Sequence, residues 1–356
     1  MGTMVVLADL DDNTVTSTLL RRRVTARRDR HPRRRSIVAM VRRRLLFVVP
    51  VCVAVSVGLF AAAAASPFDP LVAYLGVRYT TTSEADKAVL TEQLGLDRSW
   101  YDAYGQWVQG VFTGDLGTSR SFGQPVTQVV VERVPWTLLL AGLGLLLAAT
   151  LALVLGVLAG SRRGGWLDRV TTGVCLAVQG VPPYVLSLGA IALFALGLGW
   201  LPVAGLTEAG ADPTPVGVLE HLALPVSVLA LSQLPWLLLA VRESVSTSRG
   251  EDFVAGAVAR GIPGRTVTTR HIVPASLAPF VNVVGARLPE LVVGAVLVEE
   301  VFSWPGIAGA LVQSARDLDM ALLAVLTVGT TVAVMLGSLI ADVSAAVLDP
   351  RVNTDG

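Results

Sequence analysis

Residues 252–279 read DFVAGAVARGIPGRTVTTRHIVPASLAP, a polar, Arg-bearing stretch of small residues between two long apolar runs. An uncharged run at 221–241 precedes it and a largely apolar run at 276–298 follows. The stretch therefore reads as a connector between two membrane helices, and the rest of the fold follows from that. Asp252 suits the first turn of a short helix, where an acid complements the helix dipole. Ala255, Ala257 and Ala259 keep the surface of that helix small, and Gly261, Pro263 and Gly264 end it. A helix without bulky side chains can sit deep in a partner's groove, with Phe253 as its single large knob. A plain connector without a partner is the competing reading.

Composition supports the membrane reading. Hydrophobic residues make up 53% of the 356-residue chain, charged residues only 15%, and the mean hydropathy is +0.64. A soluble chain of this length carries more charge. A helix needs roughly 20 apolar residues to cross ~30 Å of hydrocarbon. Candidate spans lie at 45–65, 134–161, 170–207, 221–241, 276–298 and 321–341.

The third run is long enough for one span plus an external segment, or for two short spans. Gln179-Gly180-Val181-Pro182-Pro183 interrupts it, and paired prolines break helix hydrogen bonding. Charge decides between the two. With six spans and the N-terminus inside, Arg162, Arg163, Arg169 and the five Arg of 242–272 are cytoplasmic, while Glu208, Asp212 and Glu220 are outside. A seventh span would invert the Arg-rich loop, against the positive-inside rule. The expected architecture is an all-α integral membrane protein of six transmembrane helices with both termini cytoplasmic.

Twelve Arg lie between Arg21 and Arg44. Such a run suits nucleic acid or the cytoplasmic face of a membrane. Because it abuts a membrane-length apolar segment, it reads as an orienting, unstructured tail over 1–44, with no nucleic acid bound. It is too long and charge-dense for a cleaved signal peptide. Residues 66–134 form an external region with five Lys or Arg against eight Asp or Glu, a net charge of −3. There Ser83-Glu84-Ala85-Asp86 resembles a capping box opening a helix that stops near Gly95. Trp100, Tyr104, Trp107, Val108 and Val111 recur at helical spacing and read as packing at the membrane interface rather than as a ligand site. Residues 135–348 form the transmembrane core, and 349–356 a short cytoplasmic tail.

Several chemistries are disfavoured. The sole lysine, Lys87, is followed by Ala88, so no G-x-x-x-x-G-K-[ST] phosphate-binding loop can be written. That lysine would have supplied charge at the β- and γ-phosphates. If ATP drives this chain, another chain hydrolyses it. Cys52 and Cys175 both fall in apolar runs, and His31, His221 and His271 are scattered, which favours neither a disulfide framework nor a metal site. G-x-S-x-G and H-E-x-x-H patterns are absent. No enzyme activity is expected, and no cofactor bound by this chain.

The pattern Asp252-Phe253-Val254, then Ala257, Ala259, Arg260-Gly261, Val267, Arg270-His271 and Pro279, resembles the "EAA" loop of ABC importer permeases, most closely the dipeptide/oligopeptide/nickel branch of binding-protein-dependent transport components. Other segments resemble that branch in order. They are Gly114-Asp115-Leu116-Gly117 with Gln124-Pro125-Val126, Glu132-Arg133, Ser161 to Arg169, Glu299 with Val301 to Gly306, and Leu348-Asp349-Pro350-Arg351. The resemblance spans about 42–352. Ala255 stands where the naming glutamate would be, Pro274-Ala275 where a polar residue and Asn are typical, and Ser66 to Pro70 where Pro-Gly-Asp-Pro is usual.

The resemblance implies a multi-pass protein of a prokaryotic cell membrane, paired with a second homologous permease. It implies two ATP-binding-cassette ATPase subunits, which use the ATP and Mg, and an external solute-binding protein. It implies that 242–275 couples to the ATPases, with Asp252, Phe253, Ala257, Ala259, Arg260, Gly261, His271 and Pro279 as docking residues. Ionisable or broken-helix positions inside spans mark a pathway or a pair: Gln179, Glu299 and Glu300 for the pathway, Arg287 and Glu290 for an intramembrane pair. The branch carries peptides, nickel complexes and related solutes, with peptides the expected cargo. An ion-gradient transporter is the rival class; it calls for an inverted repeat and a midplane relay, and neither is evident.

Overall fold

The computed structural model of the chain describes residues 30–66, 70–93, 99–208 and 210–348. The unstructured basic tail expected over 1–44 is helical from Arg30 onward, because Arg is a good helix former and the apolar span it leads into propagates the helix back through it. Its residues 1–29, the helix stop near Gly95 and the tail at 349–356 lie outside the described residues.

The helices are α1 (Arg30–Ala64), α2 (Pro70–Leu75), α3 (Glu84–Gln93), α4 (Trp100–Thr113), α5 (Val126–Ser161), α6 (Trp166–Gln179), α7 (Pro183–Ala190), α8 (Pro215–Arg249), α9 (Asp252–Ala259), α10 (Gly264–Val267), α11 (Val273–Val301), α12 (Ile307–Arg316) and α13 (Met320–Leu348). A two-residue hairpin, β1 (Thr118–Ser119) and β2 (Gln124–Pro125), precedes α5. Among the described residues, five helices are long and apolar enough to cross a membrane: α1, α5, α8, α10 continued into α11, and α13. α6 and α7 together make a sixth candidate, bent by 108° at the Gly180–Pro182 break. The chain is thus an all-α membrane protein whose third span is broken where the sequence placed Pro182-Pro183. A π-wound stretch, Ile191–Gly197, extends α7.

The polar connector is not a loop. α8 runs on to Arg249 and α10 starts at Gly264, so only 250–251 and 260–263 are non-helical. The physical reason is that a hydropathy window reports the lipid-facing stretch, whereas helices continue for as long as their residues permit. A 35-residue helix is about 52 Å long at 1.5 Å per residue, well beyond the ~30 Å apolar layer.

The centre of the bundle is the seam between α5 and α8. Gly144, Ala148, Ala152, Gly156 and Gly160 recur every fourth residue on α5 and are buried. A Cβ at Gly160 would stand 2.5 Å from the Arg242 carbonyl oxygen, and one at Gly156 would stand 2.8 Å from Val241 Cβ. Close backbone approach through small residues is how helices associate where lipid removes the hydrophobic drive.

The outer elements are pinned by polar contacts. Ser83 caps α3 by accepting the Asp86 N–H at 3.1 Å. Tyr104 and Trp107 of α4 pack on Phe60 of α1, at ring-centroid distances of 5.4 and 5.9 Å, so these aromatics brace the first span. At the opposite end of α1, Arg44 pairs with Asp342 of α13. Buried Asp319 accepts from Ser119 Oγ at 2.6 Å and from the Ser121 N–H at 3.1 Å, fixing the β1–β2 hairpin to the start of α13.

Candidate functional site

α9 sits at the bundle end that carries the Arg-rich segments. Asp252 occupies its first turn, and Gly261, at φ +74°, turns the chain after it. The helix has two unlike faces. Val254 and Ala257 are buried against a cluster that includes Val245, Val267 and Ile272, so α9 is held to both α8 and the start of α10–α11. Phe253 and Val258 are 45% and 59% exposed, beside exposed Asp252, Ala255, Gly256, Ala259 and Arg260. This is the reverse of what water selects on a solvated helix.

Of the expected docking residues, Ala257 therefore faces inward: its small size lets α9 lie close to its own bundle. Pro279 lies inside α11 rather than in a connector, because that helix starts earlier than hydropathy suggests. His271 is half-buried in the π-wound stretch Thr268–Ile272 between α10 and α11.

A second cluster joins α6 to α8 beside α9. Asp168, in the first turn of α6, receives Arg242 Nε at 2.7 Å and Arg242 Nη2 at 3.0 Å. It also accepts the Gly164 N–H at 2.8 Å. The Asp168 and Arg242 side chains are 4% and 18% exposed. Arg163 reaches Ser246 Oγ at 3.1 Å, and Arg249 reaches the Ser161 carbonyl. The segment Ser161 to Asp168 is thus strapped along the extension of α8. Sequence reasoning counted these arginines only as orientation signals. Its missed clue was Asp168, the lone acid among Arg162, Arg163 and Arg169.

The third feature is a cleft of about 330 Å³ where the third span breaks. Gln179, Gly180, Val181, Pro182 and Pro183 form one wall. Ser232, Gln233 and Trp236 of α8 and Glu290, Val293, Gly294 and Leu297 of α11 form the others. Glu290 pairs with Arg287, whose guanidinium carbon lies 4.0 Å from the centroid of the Trp236 ring. Ser232 and Gln233 went unnoticed in the sequence as uncharged polar residues inside an apolar run.

Glu299 is elsewhere. It is fully buried, accepts the Ala308 N–H at 2.9 Å through Oε2, and receives the Trp304 N–H on its backbone carbonyl at 2.9 Å. A Cβ on Gly306 would lie 2.3 Å from its carboxylate. The side chain anchors the turn into α12 and is not part of the cleft wall. Glu300 is exposed beside it, away from the cleft.

A helical membrane bundle with a broken span, a cleft of mixed polar and apolar lining at the break and an apolar-faced helix outside the spans fits a transport permease. The family described as "Binding-protein-dependent transport system inner membrane component" matches residues 152–354, and the chain belongs to it. It is 29% identical over 317 residues to the oligopeptide transport system permease protein AppB of Bacillus subtilis, covering 89% of this chain and 99% of the relative. It is 32% identical over 337 residues to the probable D,D-dipeptide transport system permease protein DdpB of Escherichia coli, covering 89% and 98%. A putative peptide transport system permease of Brucella suis is 30% identical over 321 residues, covering 90% and 100%. Membership makes the chain a multi-pass membrane transport permease and implies ATPase and binding-protein partners in general.

Proposed function

We propose that this chain is one permease subunit of an ATP-binding-cassette importer for di- or oligopeptides in a prokaryotic cell membrane. A second, homologous permease completes the pathway, two ATPase subunits supply the work using ATP and Mg, and an external binding protein delivers the solute. The chain itself binds no cofactor and no nucleic acid. The peptide cargo is supported by the names of the relatives, and the Arg-rich end is taken as cytosolic by the positive-inside rule.

The observation that carries this reading is the outward apolar face of α9, with Phe253 and Val258 exposed at the Arg-rich end. An ATPase groove would cover that face. When the ATPases close on ATP, α9 moves with them. Its inner residues, Val254 and Ala257, pass the displacement to α8 and α10–α11 as packed bodies. The Asp168–Arg242 pair hands it on to α6, below the break at the cleft.

Substituting Val258→Arg places a charge on the docking face without touching the inner one. The expected result is a membrane-inserted chain that still pairs with its permease partner but no longer co-purifies with the ATPase subunits. Undiminished ATPase retention would overturn the docking role. Uptake of nickel with no uptake of any peptide would replace the cargo.

A further inference from the structure

Gln233 is a buried amide at membrane depth whose carbonyl oxygen has no hydrogen-bond partner among the described residues. The residue is 2% exposed, near the middle of α8. Its Nε2 donates to Ser232 Oγ at 3.3 Å, and its Oε1, fully buried, has no partner among the described residues. In the apolar layer no bulk water compensates such a group, so an orphaned acceptor there is destabilising. Yet Gln233 lines the cleft at the break of the third span, together with Gln179, Ser232 and Glu290.

The walls of this cleft come from three membrane segments, and its volume of about 330 Å³ is at the small end of the range for ligand sites. The backbone between α6 and α7 adds carbonyls that no longer follow a helical ladder, since Pro182 and Pro183 have no N–H to offer. Glu290 is held by Arg287 through one oxygen, and its side chain is 52% exposed. The polar groups therefore converge from α6, α8 and α11 on one small space, while the flanking Val293 and Leu297 are apolar.

We infer that this cleft is a transit subsite for the main chain of a peptide, with the Gln233 side chain, its Oε1 covered in this conformation, turning into the cleft to accept a backbone N–H and Gln179 bonding the neighbouring peptide group. This deepens the proposed function and rests on it. Main-chain recognition fits the inventory of amides, a hydroxyl and backbone carbonyls. It leaves the passing side chains uncontacted, as a path for varied sequences requires. Gln233 and Gln179 are here binding residues in the passage, separate from the selection made by an external binding protein.

The test uses the full complex of both permeases, both ATPases and binding protein in proteoliposomes, with two probes: trialanine, and trialanine methylated on both amide nitrogens. Gln233→Met keeps the volume and removes the acceptor. The expected result is trialanine uptake about tenfold slower than wild type. For the methylated peptide, which has no amide N–H left to donate, wild type and Gln233→Met should differ little. Taking the ratio of variant to wild type for each probe cancels any preference of the binding protein.

Equal uptake by Gln233→Met and wild type, or the same slowing for both probes, overturns the subsite. Basal ATP hydrolysis and subunit co-purification at wild-type level certify assembly. If Gln233→Met fails to assemble, Gln179→Met provides the same comparison from the other wall. A wild-type complex that takes up neither peptide refutes the peptide cargo itself, an outcome distinct from failure of the subsite alone.

Discussion

Replacing Asp168 with alanine should loosen the third span by roughly two orders of magnitude. Asp168 holds Arg242 through contacts of 2.7 and 3.0 Å, with only 4% and 18% of the two side chains exposed. Removing one partner of a buried ion pair costs about 3–5 kcal/mol, because the other charge is left unpaired. The partial exposure of Arg242 puts this case near the lower end, about 3 kcal/mol. At about 1.36 kcal/mol per tenfold, that is on the order of a hundredfold in the equilibrium for opening α6 away from α8.

Cys175 reports that opening. It lies on α6, is 3% exposed and packs in the same cluster as Val241 and Val245. In a Cys52→Ser background, which leaves Cys175 as the only thiol, N-ethylmaleimide should label Asp168→Ala membranes about a hundred times faster than the parent. Asp168→Ala combined with Arg242→Leu should recover much of the protection, since no unpaired charge remains. Labelling of Asp168→Ala within threefold of the parent would refute the strap, as would a double variant no better protected than the single one.

Three further outcomes follow from the packing. Gly156→Leu forces a side chain into a site where even Cβ would stand 2.8 Å from Val241 Cβ. Overpacking costs about 1–3 kcal/mol or more, so size-exclusion chromatography should show loss of the monodisperse species, whereas Val154→Leu on the exposed side of α5 should not. Gly306→Ala drives a methyl into the Glu299 carboxylate and should lower the melting temperature of the detergent-solubilised chain more than Glu299→Gln does, because glutamine keeps an acceptor for the Ala308 N–H. Asp319→Ala removes the acceptor for Ser119 Oγ and the Ser121 N–H, a loss of about 2 kcal/mol or more. The β1–β2 hairpin should then be cut by protease under conditions in which the parent survives.

What was legible in the sequence is what lipid imposes. Uncharged runs of membrane length, and Pro182-Pro183 within one of them, are one-dimensional signals, and the spans and the broken helix follow from them. Helix ends were misjudged because lipid does not set them. α8 continues through Arg242 and Glu243 to Arg249, since charged residues outside the bilayer do not stop a helix. Pairing across the bundle was not legible. Asp168 and Arg242 are 74 positions apart, and Ser119 and Asp319 are 200 apart, with no periodicity linking either pair. The outward face of α9 was only half readable. A run of alanines gives a small surface, but which alanine turns inward depends on where α8 and α10 leave room, and that placed Ala257 inside. Glu299 looked like a pathway acid from its position in an apolar run. The turn at Gly306 that folds back over it appears only in three dimensions.

Under the proposed function, this chain provides half of a passage and draws its work from separate ATPase subunits. The most direct measurement is uptake of radiolabelled trialanine into proteoliposomes that hold the chain, its permease partner and the binding protein, with and without the ATPase subunits and Mg-ATP. Accumulation only when both are supplied is the predicted result. Full-rate accumulation by the permeases without them would mean that the passage does not depend on ATPase subunits.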